Sequence, residues 1–166
     1  TDITYINGKV EGQKAISFNG ITSMVSTSST KLCKGAYSFS CQFKLASSTE
    51  GIIFSNAFDN SLYGNAVWIK PDRIRLEWSY NNSWIKLDRI NLSLLDDKFH
   101  SLVVIMSPGN QSIYIDGILE ASSSNANVTQ SNNVAPLRFA VNWNDSSYFI
   151  GILQNIKIFN RALTQD

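Results

Sequence analysis

Two tryptophans of the chain stand beside asparagine-rich turns, so that an indole ring and several amide groups are close in sequence. Trp143 lies within the segment VNWNDS at 141–146, and Trp84 ends the segment YNNSW at 80–84. A sugar ring has a face of C–H groups that packs on an aromatic ring, and a rim of hydroxyls that hydrogen-bonds to polar side chains. We therefore predict that Trp143 and Trp84 are platforms for a sugar ring. In the alternative interpretation, Trp143 continues the preceding apolar alternation into the core, and Trp84 covers the edge of a hairpin.

Polar side chains near these tryptophans are the candidate hydrogen-bonding partners of a sugar. The candidates are Asn142, Asn144, Asp145, Arg73, Arg75 and Tyr80. Alternation divides the run at 73–80 into an apolar core face and a polar outer face, with Ile74, Leu76, Trp78 and Tyr80 on the first and Arg73, Arg75, Glu77 and Ser79 on the second. The outer face either lines a shallow groove, where arginines bind sugar hydroxyls or an anionic substituent, or is a solvated face with paired charges.

The sequence pattern does not indicate catalysis. His100 is the one histidine, and no motif places a serine or cysteine nucleophile beside it. The four glutamates are isolated from one another: Glu11, Glu50, Glu77 and Glu120. Glycoside hydrolysis needs two carboxyl groups placed on either side of a bond. We therefore predict no enzyme activity, no cofactor and no metal among the candidate site residues, and a structural role for His100.

Composition limits the partners of the chain. Its 166 residues are 43% hydrophobic and only 16% charged, with 14 basic against 13 acidic side chains. Such a balance does not provide the clustered basic face that binds nucleic acid, and no apolar run is long enough for membrane insertion. The surface is instead made polar by 23 serines and 17 asparagines, which suit neutral hydroxylated ligands. We expect no leader peptide in the chain.

Alternation of apolar residues predicts the elements that position these side chains. Period two dominates and indicates an all-β domain, either a two-sheet sandwich or a barrel. The predicted strands are 15–18, 24–26, 38–45, 51–56, 66–70, 73–80, 84–88, 100–106, 112–115, 137–142 and 150–159. The polar segment 122–134 is expected to be a long surface loop. Cys41 is expected to point into the core, and we favour free thiols over a disulfide between Cys33 and Cys41.

Three ordered segments resemble the laminin G-like branch of the concanavalin A-like jelly rolls. GQKAISFNG at 12–20 is similar to the family's opening G-K-A-L-x-F-D-G. KFHSLVV at 98–104 and SIYIDG at 112–117 resemble its W-H-H-V-A strand and L-Y-V-D-G hairpin. GILQNIKIFNRAL at 151–163 is similar to its closing G-x-I-D-D-V-R-I-Y-N-R-A-L. The resemblance implies an antiparallel two-sheet jelly-roll sandwich whose first and last strands lie close together.

The resemblance also bears on calcium and catalysis. Many relatives bind calcium through acidic side chains near the opening F-D-G and the closing I-D, where this chain has Asn19 and Gln154. Fewer formal charges weaken such a site, so calcium is possible but not expected at the family position. The sequence leaves open a calcium site elsewhere, built from Asp2, Asp59 or Asp145. The related glucanases carry their carboxyl groups as E-x-D-x-x-E, which this sequence lacks.

We expect residues 1–166 to form one domain, excised from a larger parent protein. The residues favour a non-catalytic carbohydrate-binding module whose partner is a poly- or oligosaccharide of a cell-surface or extracellular glycan. Two settings suit it, namely the host-adhesion module of a bacteriophage tail or baseplate protein and the accessory module of a secreted glycosidase. Either implies an extracellular location or a virion surface. The alternative is a laminin G-type domain for protein–protein adhesion.

Overall fold

The computed structural model describes residues 3–27, 35–56, 64–81, 83–126 and 136–164. These ranges contain thirteen β-strands: β1 Thr4–Asn7, β2 Lys14–Asn19, β3 Val25–Ser26, β4 Tyr37–Leu45, β5 Gly51–Ser55, β6 Asn65–Lys70, β7 Arg73–Tyr80, β8 Ser83–Ile90, β9 His100–Ser107, β10 Asn110–Ile115, β11 Ile118–Ser123, β12 Arg138–Phe139 and β13 Ile150–Phe159. In the same ranges, no helix is long and apolar enough to cross a membrane.

The strands form two antiparallel sheets that pack face to face. One has seven strands in the order β1-β2-β13-β4-β9-β10-β11, and the other has six in the order β3-β12-β5-β6-β7-β8. The predicted all-β sandwich is therefore confirmed. The last strand pairs with β2, with Ile150 opposite Asn19 and Leu153 opposite Ile16, so the two ends of the fold are neighbours as predicted.

The core lies between the two sheets and is built from alternating side chains. Along β4, every second residue is at most 3% exposed: Tyr37, Phe39, Cys41, Phe43 and Leu45. Phe39 stacks on Phe54 of the other sheet with ring centroids 5.1 Å apart, and Phe139 closes over both rings. Such aromatic contacts add to the burial of apolar area that stabilises the fold.

Cys41 is buried, as the alternation predicted, and its thiol is free. Burial in the apolar core raises the pKa of the thiol, because the thiolate would lose its hydration there. The predicted loop 122–134 begins later than expected, because β11 continues to Ser123 by pairing with β10. Cys33 and the part of this loop from residue 127 onward lie outside the described residues.

Some strands differ from the sequence prediction for identifiable reasons. The edge strands β1 and β11 were missed because burial does not alternate along them; Tyr5 is 67% and Ile118 is 63% exposed. The hairpin that leads into β11 turns at Asp116 and Gly117, both with positive φ, as a type I′ turn requires. The predicted strand 137–142 shrinks to Arg138–Phe139 because Ala140 adopts φ 67° and ends it.

Candidate functional site

A cavity of about 140 Å³ lies on the outer face of the six-stranded sheet. It is lined by Ala66, Trp68, Glu77, Trp84, Asn142 and Trp143. Trp84, Asn142 and Trp143 were predicted from the sequence as contacts of a sugar, and the fold brings these three residues to one place. Trp84 and Trp143 are both half-buried, so neither indole belongs to the closed core, and each presents part of its ring to the cavity.

Cross-strand register explains why the sheet side of the cavity has this composition. In β6 and β7, Ala66 lies opposite Glu77 and Trp68 lies opposite Arg75. Trp84 of β8 lies opposite Ser79 of β7. Residues directly opposite each other share a face of the sheet, and the intervening apolar residues of β6 and β7 are fully buried on the other face. Trp68, Glu77 and Trp84 are therefore held on the outer face by regular strands.

The turn at 140–149, called here the Trp143 turn, supplies the third indole. The Trp143 N–H donates to Asn142 Oδ1 at 2.9 Å, and the Phe149 N–H donates to the Ala140 carbonyl at 2.9 Å. The returning chain comes so close to β5 that a Cβ on Gly51 would lie 2.8 Å from the Phe149 Cα. Glycine at position 51 thus permits the approach that places Trp143 over the sheet.

Glu77 is the acidic group of the cavity, and its charge is balanced. The Trp68 Nε1–H donates to Glu77 Oε2 at 2.7 Å. Arg75 Nη1 and Lys86 Nζ lie 3.3 and 3.6 Å from Glu77 Oε1. The oxygens of this carboxylate can still accept hydrogen bonds from a ligand, because a carboxylate has about four lone-pair sites. The cavity therefore combines three aromatic rings with a fixed, compensated acceptor.

The two arginines predicted as ligand contacts are held in ion pairs with neighbouring carboxylates. Arg73 pairs with Glu50, and Arg75 Nε donates to Asp88 Oδ1 at 2.7 Å. The hydrogen bond to Asp88 raises the pKa of Arg75. Neither arginine lines the cavity. Asp88 lies directly opposite Arg75, and Glu50 comes from the residue before β5. The outer face thus carries paired charges, which is the alternative interpretation of this strand.

The other predicted contacts shape the Trp143 turn or lie elsewhere. Arg138 Nη1 and Asp145 Oδ1 are 2.7 Å apart, and Asn144 Oδ1 accepts from the Ser146 hydroxyl. Tyr80 lies two residues after Trp78 and alternates with the buried side chains of β7, so it belongs to the face of that sheet away from the cavity. The cavity is lined by none of these three predicted residues, Asn144, Asp145 and Tyr80.

Trp68 and Glu77 also line the cavity, although they are not among the contact residues predicted from the sequence. A signal for Trp68 was present, because Val67 and Ile69 alternate with it and indicate that its side chain points away from the core. The sequence places Glu77 on the polar outer face of its strand, but does not single it out as a contact residue. Trp68 and Glu77 come together because β6 pairs with β7 in this register, and alternation within one strand does not predict the register.

At the family's calcium position, side-chain amide oxygens accept backbone N–H groups. Asn19 Oδ1 accepts the backbone N–H groups of three residues at 2.9–3.1 Å, namely Ile21, Thr22 and Ser23. Gln154 is buried, and its Oε1 accepts the Lys9 N–H at 2.8 Å. Among the described residues, no cluster of three or more His, Cys, Asp or Glu side chains could hold a metal. Asp2 and Asp59 lie outside the described ranges.

Chelation of divalent ions with EDTA is therefore expected to shift the melting temperature by no more than about 2 °C. Asn19 Oδ1 already accepts three N–H groups and Gln154 Oε1 accepts one, and neither amide carries the formal charge that strengthens a calcium site. The assay is sensitive, because a metal present at a hundred times its Kd stabilises by about 2.7 kcal/mol. Thermal melts with EDTA and with excess calcium make the comparison, and a drop of several degrees with EDTA would reveal a metal site.

His100 lies between two carboxylates rather than beside a nucleophile. Its Nδ1 is 2.7 Å from Asp116 Oδ2, and its Nε2 is 3.0 Å from Asp96 Oδ1. Burial lowers the pKa of His100, but the two carboxylates outweigh it, so the net pKa is raised. The hydrogen bond to His100 lowers the pKa of Asp96 to about 2. His100 thus links the loop before β9 to the β10–β11 turn.

We expect this link to stabilise the protein most at acidic to neutral pH. Because the pKa of His100 is raised from 6.5 on folding, its stabilisation is complete below about pH 6.5 and is lost as the pH rises through the folded value. Urea unfolding of the parent and of His100→Gln between pH 5.5 and 8.5 measures the effect. The difference in unfolding free energy between the parent and His100→Gln should decrease as the pH rises. A difference that stays constant over this pH range would contradict the assignment.

Comparisons with known proteins identify the fold family. A family model described as the concanavalin A-like lectin/glucanases superfamily, of laminin G type, matches residues 18–166. No curated protein matches the sequence. Domain 4 of AbnA, a GH43 extracellular arabinanase from Geobacillus stearothermophilus solved with arabinotriose, has a TM-score of 0.79 at 22% identity, over 99% of this chain and 78% of that chain.

Two further solved structures share the architecture. Domains LG4-5 of the mouse laminin alpha1 chain have a TM-score of 0.72 at 14% identity, over 93% of this chain and 44% of that chain. The SAP-like pentraxin of Limulus polyphemus has a TM-score of 0.69 at 16% identity, over 90% of this chain and 77% of that chain. The present chain thus spans less than half of the laminin structure. With the family match and the two-sheet sandwich, these findings show that the chain belongs to the concanavalin A-like lectin/glucanase superfamily.

Proposed function

We propose that the protein is a non-catalytic carbohydrate-binding module that holds a neutral sugar unit of a cell-surface or extracellular glycan in the tryptophan-lined cavity. The observation that carries the proposal is the convergence of Trp68, Trp84 and Trp143 around Glu77 and Asn142. Aromatic faces bury the C–H surface of a sugar, and a few fixed polar groups orient its hydroxyls. The cavity provides both.

Charge favours a neutral ligand over an ionic one. The carboxylate of Glu77 is matched by Arg75 and Lys86. Arg75 also contacts Asp88, and Arg73 pairs with Glu50. An ammonium ligand would compete with these cations, and an anionic ligand would meet the Glu77 carboxylate. A hydroxyl can donate to Glu77 without disturbing the balance. Asn142 adds an amide at the rim of the cavity.

The same geometry argues against hydrolysis at this site. Glycosidases use two carboxyl groups, separated by about 5–5.5 Å in retaining enzymes and by about 6.5–9.5 Å in inverting ones. Of the described residues that line the cavity, Glu77 alone is acidic. It is held by Trp68 and two cations, an arrangement that suits binding rather than proton transfer.

The related fold supports the proposal at a general level. The arabinanase domain was solved with arabinotriose, so a sandwich of this shape does present a glycan-binding surface in that protein. The setting that we propose is a larger parent protein, either a bacteriophage tail or baseplate protein or a secreted glycosidase, on a virion surface or outside the cell. A shallow single site binds weakly, with a Kd of about micromolar to millimolar, so firm adhesion would require several copies.

A laminin G-type role in protein adhesion is the second candidate. The exposed apolar side chains Ile118 and Leu119 on edge strand β11, 63% and 48% exposed, favour it. A glycan array with the isolated protein separates the two functions. Specific hits among neutral glycans would support the module. No glycan binding on the array, together with capture of a partner protein that Ile118→Ser weakens, would support adhesion.

A further inference from the structure

A second depression, of about 240 Å³, lies on the outer face of the seven-stranded sheet. Its lining side chains come from three adjacent strands, β13, β4 and β9, and are mainly polar: Ser40, Gln42, Ser101, Val103, Asn155 and Lys157. The cavity lined by Trp68, Trp84 and Trp143, called here the tryptophan cavity, lies on the outer face of the other sheet. The two concavities are therefore on opposite sides of the sandwich.

A β-bulge in β13 shapes this depression. The register with β4 shifts between Gln154, opposite Gln42, and Lys157, opposite Ser40, and Asn155 adopts φ 52°. The bulge breaks the alternation, so that Gln154 and Asn155 both reach Gln42 Oε1, with N···O distances of 2.5 and 3.0 Å. Bulges of this kind re-aim side chains and are frequent beside functional sites.

The polar groups that remain are mostly donors. Two amides occupy the Gln42 oxygen, so the free hydrogen-bonding capacity of this side chain is its NH₂ group. The hydroxyl of Ser40 adds another donor, and Lys157 is exposed and has no carboxylate within ion-pair distance among the described residues. Asp116 contacts the lining residue Ser101, whose N–H it accepts at 2.7 Å, and its other carboxylate oxygen is paired with His100.

We propose that this depression is a second glycan-binding site, for a sugar chain that carries an oxyanion, either a carboxylate or a sulfate group. The oxyanion contacts Lys157, and neighbouring sugar oxygens accept from Gln42 and Ser40. Charge complementarity carries the assignment, since an uncompensated ammonium beside two neutral donors fits an anionic acceptor. The site is independent of the proposed function of the tryptophan cavity, because it shares none of the residues that line that cavity.

Titrations with tetragalacturonic acid, maltotetraose sulfate and unmodified maltotetraose test the site on the intact protein. The parent should bind at least one anionic probe, and Lys157→Gln should weaken that binding about tenfold, because a charge-assisted hydrogen bond is lost. Lys14→Gln is the matched control. Lys14 is an exposed lysine on β2 of the same sheet, and this substitution changes the net charge equally but should alter the Kd less than about twofold.

Amide NMR shifts locate the bound probe. Perturbation of Gln42, Ser101 and Asn155, unchanged in Trp143→Ala, would support the site, and the probe that binds would identify the oxyanion as carboxylate or sulfate. Equal weakening by Lys157→Gln and Lys14→Gln would overturn the proposal in favour of nonspecific attraction. Equal binding of neutral maltotetraose, no binding of either anionic probe, or shifts confined to the tryptophan cavity would overturn it as well.

Discussion

Trp143→Ala is expected to abolish retention of the protein on its glycan while leaving the fold intact. The indole lines the cavity and lies outside the buried cluster between the sheets, so its loss removes a stacking surface but no core contact. Removing an aromatic platform should raise the Kd by at least about 30-fold, which corresponds to about 2 kcal/mol. Isothermal titration with an array hit measures the affinity, and a thermal melt should stay within about 3 °C of the parent.

Two further variants sharpen this test. Trp84→Ala should weaken binding in the same way, because Trp84 lines the same cavity, whereas Tyr80→Ala removes an aromatic ring outside it and should bind like the parent. Unfolding of Trp143→Ala would place the indole in the core instead. Binding that persists in both tryptophan variants would move the site elsewhere, most directly to the polar sheet face around Arg73 and Arg75.

Phe54→Ala is expected to produce a large loss of stability. Phe54 is fully buried and contacts the rings of Phe39, Tyr37 and Phe139 with centroid distances of 5.1, 6.4 and 6.0 Å. Replacement of a buried phenylalanine by alanine leaves a cavity and costs about 3–5 kcal/mol of unfolding free energy. Urea unfolding monitored by tryptophan fluorescence measures this change, with an unchanged m-value as evidence that the two-state transition is kept.

The control for the core substitution is Ile21→Ala. Ile21 is 72% exposed, so its replacement should change the unfolding free energy by less than about 0.5 kcal/mol. A loss below about 1 kcal/mol in Phe54→Ala would mean that the ring cluster joining the two sheets does not hold the sandwich together.

Alternation predicted the interior of this fold well because most strands have one buried face. In β7, Ile74, Leu76 and Trp78 are at most 1% exposed, as the two-residue period requires. Alternation does not predict edge strands in the same way, because β1 buries neither face consistently and its sequence does not alternate. Pairing between strands distant in sequence, such as β2 with β13, came from the resemblance of both chain ends to one family.

Prediction of the candidate site was less complete for a different reason. Trp84, Asn142 and Trp143 could be proposed because each combines an aromatic or amide group with a polar turn in the local sequence. Trp68 and Glu77 lie inside regular strands, so only the register of β6 against β7 shows that they meet. The pairing of Arg75 with Asp88 is likewise a cross-strand contact, so the sequence of either strand alone does not predict it.

The Trp143 turn has a kinetic consequence. Backbone hydrogen bonds and the contact between Arg138 and Asp145 hold the turn in one shape, with Ala140, Asp145 and Ser147 at positive φ. A ligand therefore finds the third indole already in place and does not have to wait for a loop to close. Association should follow one exponential whose rate rises linearly with sugar concentration, and dissociation should set the differences among related sugars.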